Sequence, residues 1–297
     1  MLYSINNENN SFQTLKIKLR KEVIGMGKVF SWKEIANGQI PKLEDFSIVR
    51  SLIISELEKC DEIIGGVICG SVIRGDHNVR SDVDCLVVHS GQNILKIIGL
   101  LQELNRFAKQ LYVPVEFIPV DIRVAHTSTV EMSFGMHLDW SARNGGCIKT
   151  NPIPMLSFDL DMGQELQNYV RLKLNKLTKR WIKYPEASSE QRFHFLQKIL
   201  EAPVYIARKI IRWRGVDISF DDSKRRIVEL YSEHFNGSES LKFFREAVMT
   251  DASYTKKILQ QLKCSDEAEY LNTLKETEVI IPNVLEFIRL TNILVAK

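Results

Sequence analysis

The sequence predicts an α/β (α+β) protein in which a small mixed sheet with its helices comes first and a C-terminal helical bundle follows. Three observations carry this. In the first half, the apolar runs Ile63–Cys69 and Cys85–Val88 bracket a polar loop, and a third run, Val113–Val120, follows a helical stretch. From Asp161 to the end, apolar residues recur at helical rather than alternating spacing. Between the two patterns, Asn151-Pro152-Ile153-Pro154 breaks the chain, which sets the expected domains at 1–152 and 153–297.

Bulk properties narrow the class. A chain of 297 residues with 44% hydrophobic content can bury a sizeable core, as one large or two ordinary domains. A formal net charge of +3 is too small for a general nucleic-acid binder. The five cysteines are odd in number, widely spaced and without a C-x-x-C pair, which argues against a disulfide framework or structural zinc and for a reducing compartment. Met1-Leu2-Tyr3 runs straight into the polar stretch Asn6–Ser11, and no apolar segment nears the roughly 20 residues a membrane span needs. The expectation is a soluble, cytoplasmic protein with no membrane partner, as a monomer or homodimer.

Along the chain, residues 1–11 are expected to fray. Phe12, Leu15, Leu19 and Val23 fit a helix, while Leu15, Ile17 and Leu19 between lysines fit a strand equally, so that choice stays open. Asn37-Gly38 marks a turn. Phe46, Val49, Leu52, Ile53, Leu57 and Cys60 then predict an amphipathic helix over about 44–60, feeding the strand at Ile63. After a strand at 82–88, Ser90-Gly91-Gln92-Asn93 offers capping residues for a helix striped by Ile94, Ile97, Leu101, Leu104, Ala108 and Leu111. A third strand spans 113–120, and Thr127 to Trp140 fits a short strand or a helix.

In the second half, Asp161 is expected to cap a helix to about Lys183. Ser188-x-x-Gln191 is a capping box for the next helix, which Pro203 is expected to kink or break. Asp221 or Asp222 caps another, and three further helices are expected near 240–249, 254–276 and 283–296.

The chemistry concentrates at 63–88. Asp82 and Asp84, one residue apart on a strand, project to one face, and paired carboxylates suit hard divalent cations. Glu116, among apolar residues in the third strand, is the candidate third carboxylate. A buried glutamate there would be costly without a partner, and the simpler reading is an exposed edge-strand glutamate. Asp121 faces the other way and is the weaker choice. Asp159 and Asp161 repeat the spacing without the strand context, and read as loop and cap residues.

Gly70-Ser71 ends the first strand, where backbone amides and a hydroxyl can grip nucleotide phosphates; Arg74, and less surely Arg80, would add charge-assisted contacts. Lys224 is a candidate phosphate contact from the helical half, although a basic residue early in a capped helix is the simpler reading. His77 and His137 are possible general bases that read more simply as loop or surface histidines. Cys69 and Cys85 read as core residues. Arg171, Lys173, Lys176, Lys179, Arg180 and Lys183 make helix 161–183 basic, as a solvated face or as a surface for a phosphate-bearing partner such as RNA.

The run Gly70-Ser71-x-x-Arg74-Gly75-Asp76, followed by Ser81-Asp82-Val83-Asp84 with ten residues between Ser71 and Asp82, resembles the signature of the DNA polymerase beta-type nucleotidyltransferase superfamily. The Arg-Gly after Gly-Ser, and Ser81 before the carboxylates, are similar to the minimal and aminoglycoside-type members. The close match covers about 70–88, plus Glu116 by pattern. The resemblance implies that Asp82, Asp84 and Glu116 bind two magnesium ions, and that Gly70, Ser71 and Ser81 serve a nucleoside triphosphate, ATP in the first instance. The implied active site lies in a cleft between the two domains. The implied reaction moves a nucleoside monophosphate to an acceptor, with a small molecule such as an antibiotic ahead of RNA or protein. A non-catalytic nucleotide- or partner-binding module of the same fold is the reading from another class.

Overall fold

A computed structural model of the chain describes residues 28–125, 129–159, 162–216, 218, 224–261 and 266–296. The expectations for 1–23, and the proposed caps Asp161, Asp221 and Asp222, lie outside the described residues.

The first part of the chain runs α1 (Trp32–Ala36), α2 (Leu43–Lys59), β1 (Ile63–Cys69), α3 (Ser71–Arg74), β2 (Val83–His89), α4 (Ile94–Gln110), β3 (Val115–Asp121), α5 (Ile122–Ala125), β4 (Thr129–Glu131), α6 (Met132–Ser141), β5 (Cys147–Lys149) and β6 (Ser157–Asp159). The remainder is helical: α7 (Met162–Ile182), α8 (Ser189–Trp213), α9 (Lys224–His234), α10 (Glu239–Gln261), α11 (Glu267–Glu278) and α12 (Ile281–Val295). The mixed α/β class followed by a helical region is therefore observed.

The main sheet has the order β3-β2-β1-β5, with β1 antiparallel to both β2 and β5, and β2 parallel to β3. A separate pair, β4 and β6, is parallel. The central strands read as continuous apolar runs because both faces are covered. Val83, Cys85 and Val87 of β2 pack with Phe46, Ile53 and Leu57 of α2 and with Ile97, Leu101 and Leu104 of α4. Leu86 and Val88, at the alternate positions, face the opposite way onto Leu138 of α6, together with Ala142 and Leu156. Each such large apolar side chain taken from water contributes about 1.5–3 kcal/mol. Gly65 lets β5 approach: a Cβ there would stand 2.1 Å from the Thr150 carbonyl oxygen.

The helix after β2 starts differently from expectation. Asn93 provides no side-chain cap, its backbone being left-handed at φ 48°. Its amide nitrogen instead donates to Glu62 Oε1 at 3.0 Å. Glu62 also takes Lys96 Nζ at 2.7 Å and the Cys60 thiol at 3.2 Å, so the start of β1 is tied to the first turn of α4.

The chain divides into two compact units inside α7, between Tyr169 and Val170. The first contains 33–169; the second contains the remaining helices, and Trp32, whose ring lies 5.9 Å from that of Tyr270, belongs with it. The stretch 151–156, with its two prolines, forms a short 3-10 turn that leads into β6, within the first unit.

In the helical unit the Ser188 capping box forms, with the Gln191 amide donating to Ser188 Oγ and the Ser188 amide to Gln191 Oε1. Pro203 does not end its helix: α8 continues from Ser189 to Trp213. A proline inside a helix costs about 3 kcal/mol, and burial of Phe195, Leu196, Ile199, Leu200, Ile206, Ile210 and Ile211 on the same helix exceeds it. The expected break near 250–253 is likewise absent, because Thr250-Asp251-Ala252-Ser253 contains no glycine or proline and α10 runs through it. Asp266 caps α11 by accepting from the Ala268 and Glu269 amides.

Candidate active site

Residue parity along the strands brings two of the carboxylates to one side of the sheet. Asp84 shares the face of Leu86 and Val88, because side chains alternate along a strand, while Asp82 lies one residue before β2 begins at Val83. That is the face on which Leu138 of α6 packs. In the parallel β2–β3 ladder, Asp84 is the register partner of Glu116. Ile118 and Val120, which follow Glu116 at two-residue steps, pack on the same apolar cluster as Leu86 and Val88. The antiparallel ladder sets Cys69 opposite Asp84, so the chain leaving β1 at Gly70-Ser71 emerges beside the carboxylates. A Cβ on Gly70 would lie 3.4 Å from Asp84 Oδ2.

Glu116 itself is exposed, because β3 is an edge strand. Of the two readings the sequence allowed, the exposed edge-strand glutamate is the one observed, and a buried one needing a partner is not. Register with Asp84, rather than desolvation, connects it to the site. Asp121 is committed elsewhere: Arg123 Nε donates to its Oδ1 at 3.0 Å, and this guanidinium lowers the carboxyl to about 2.

Gly70 adopts φ 90°, ψ −157°, a region that only glycine enters without strain. Its amide donates to Nε2 of His137 on α6 at 3.1 Å. To accept that bond the imidazole must be neutral, with its proton on Nδ1. His137 was expected as a surface histidine or a general base; it anchors the Gly-Ser turn instead, and the Gly70 amide is not free to grip a phosphate. Nothing in the one-dimensional spacing joins positions 70 and 137, which is why sequence reasoning missed the pair. Ser71 is buried, and its carbonyl closes the turn by accepting the Gly75 and Asp76 amides.

Arg74, expected to meet phosphates, pairs with Asp76: Nη2 stands 3.1 Å and Nε 3.2 Å from Oδ1. Its side chain is 7% exposed, so the guanidinium is spent inside the loop rather than displayed. Ser81 is buried and organises the same loop, accepting the Asn78 amide on its hydroxyl at 3.0 Å while its own amide donates to the Asn78 carbonyl. Arg80 is fully buried, its amide donating to Asn78 Oδ1. Burial, and then the Asp84 carboxylate, push the Cys69 thiol well above its usual range, as expected of an inert core cysteine. His77 lies over Phe46, with ring centroids 5.2 Å apart, and its Nε2 is 3.4 Å from the Leu43 carbonyl. Lys224 opens α9 in the helical unit.

Among the described residues, no three acidic, histidine or cysteine side chains are gathered closely enough to hold a metal ion as a set. Asp84 and Glu116 form an oxygen-only pair across β2 and β3, with Asp82 just before β2, rather than a closed cage. That fits magnesium, which usually takes one or two protein carboxylates and completes its shell with water and substrate phosphates. Among the described residues, no helix is long and apolar enough to cross a membrane.

No protein-family model matches the chain, and no curated protein sequence matches it.

Proposed function

We propose that this chain is a nucleotidyltransferase: it moves a nucleoside monophosphate from a nucleoside triphosphate, ATP in the first instance, to an acceptor hydroxyl, and releases pyrophosphate. The bond formed joins the acceptor oxygen to the α-phosphorus, and the bond broken is the α–β phosphoanhydride. The observation that carries the reading is the register pairing of Asp84 with Glu116, with Asp82 two residues before Asp84 in the chain and the Gly70-Ser71 turn alongside.

Asp82, Asp84 and Glu116 would hold two magnesium ions, which when bound neutralise the triphosphate and make the acceptor oxygen a better nucleophile. Glu116, being exposed, is the carboxylate able to take the acceptor's proton. The Ser71 hydroxyl orients the leaving pyrophosphate. His137, by accepting the Gly70 amide, holds the turn from which Ser71 follows. Arg74 and Ser81 shape the loop between β1 and β2 instead of touching nucleotide, so the phosphates draw less protein charge than the motif alone would supply.

That last point favours a second reading, a nucleotide- or partner-binding module without catalysis. Incubation with each α-labelled nucleoside triphosphate, magnesium, and panels of antibiotics and RNA separates the two. Label transfer that Asp84→Asn abolishes supports the enzyme. Nucleotide binding without transfer supports the module.

A further inference from the structure

We propose that α7 and α8 form a binding surface for single-stranded RNA, with the exposed Lys176 and Arg180 meeting backbone phosphates, Lys173 and Lys198 adding to the positive field, and the Tyr205 ring receiving a base. This deepens the transferase reading by naming an acceptor class, but its test needs no catalysis.

Charge distribution is the first ground. Residues 171–214 hold twelve lysines and arginines against three glutamates, in a chain with 40 against 37, so the remainder is net acidic. Geometry is the second. The chain turns back between the two helices: the Trp181 ring at the end of α7 lies 6.3 Å from that of Phe195 early in α8, and Tyr184 lies 5.4 Å from the same ring. On α7, Lys173, Lys176 and Arg180 recur at helical spacing on one stripe; on α8, His194, Lys198 and Tyr205 do the same. Lys173 lies in the field of Lys198, and His194 in that of Arg180, so these four residues cluster across the hairpin. Burial lowers the Lys173 pKa first; Glu201 opposes this, and Lys198, Lys176 and Arg180 add to it. His194 is lowered by burial, then by Arg180 and Lys198. The acidic group among them, Glu201, is buried and engaged by Lys198 Nζ and Gln197 Nε2, each at 3.1 Å. A polyanion is drawn to such a concentration of positive charge.

Two features select RNA. Tyr205 is 48% exposed within the basic stripe, and aromatic rings among cations are how single strands are bound without sequence preference. A membrane surface would need a continuous free apolar face on the same helix, whereas the exposed Leu172 and Ile182 of α7 stand ten positions apart and Val170 and Leu177 are buried.

The test is fluorescence anisotropy of a labelled RNA of about 20 nucleotides with the full chain, without nucleotide or magnesium, over about 50 to 200 mM salt. Affinity should fall linearly on a log–log plot. Lys176→Ala with Arg180→Ala should weaken binding about tenfold and reduce the slope by about 1.4, two phosphate contacts' worth. Tyr205→Ala should weaken binding without changing the slope. Lys256→Ala with Lys275→Ala, exposed on other helices, should change nothing. Asp84→Asn should bind RNA as the wild type does, so loss of transfer and loss of binding are read separately. Absence of RNA binding at low salt, equal loss in the control pair, or binding to phosphatidylserine vesicles but not to RNA overturns the proposal.

Discussion

At φ 90°, Gly70 occupies backbone space that costs any other residue about 1–3 kcal/mol. Gly70→Ala should therefore lower the urea unfolding free energy by about that amount, through the backbone, since the added methyl would meet Asp84 only at ordinary contact distance. His137 makes a sharper distinction. If it anchors the turn through the Gly70 amide, His137→Gln, whose carbonyl oxygen can still accept, should keep transfer within about tenfold of wild type, whereas His137→Ala falls further. A general base would lose about a hundredfold or more in both variants. Glu116 shows how a residue can be identified for a reason that fails. Its apolar neighbours suggested burial, but an edge strand leaves it exposed, and strand order is a long-range property that local sequence does not encode.

Among the elements, the junction of β1 with α4 carries a pH signature. The Lys96 ammonium, then the Asn93 amide, hold the Glu62 carboxyl at about 2, below its usual 4.5. A carboxyl depressed on folding stabilises the native state above its unfolded pKa, and the contribution disappears as pH falls through the folded value. The melting temperature of wild type should exceed that of Glu62→Gln at pH 6, and the gap should shrink between about pH 4.5 and pH 2. A gap independent of pH would remove the charge from the explanation. The strands and the helices α2, α4 and α8 were legible because their apolar periodicity is strong and local. Of the two outcomes expected at Pro203, the break is absent, because propensity is a weak prior against a helix buried along most of its length. The Asn93 cap was misread because Glu62, thirty-one positions away, claims its amide.

At the scale of the whole molecule, a mixed sheet and a run of helices were both legible from the switch in hydrophobic period. The Pro152–Pro154 stretch was not the end of the first compact unit, because β6 follows it and pairs with β4. The carboxylate row was half legible: D-x-D spacing fixes a face, but the alignment of Asp84 with Glu116 needs strand pairing across thirty-two residues. Arg74 and Ser81 carry the residue types a phosphate site needs, yet local partners, Asp76 and Asn78, take them. The central claim is that this row supports nucleotidyl transfer. The most direct measurement is transfer of the α-phosphate label from each nucleoside triphosphate to RNA and to small-molecule acceptors, wild type against Asp84→Asn, with magnesium. The account predicts a labelled acceptor and stoichiometric pyrophosphate with wild type, and a loss of about a thousandfold in the variant, equivalent to about 4 kcal/mol of transition-state stabilisation. Equal transfer by both proteins, or none by a folded wild type across all four nucleotides, would contradict it.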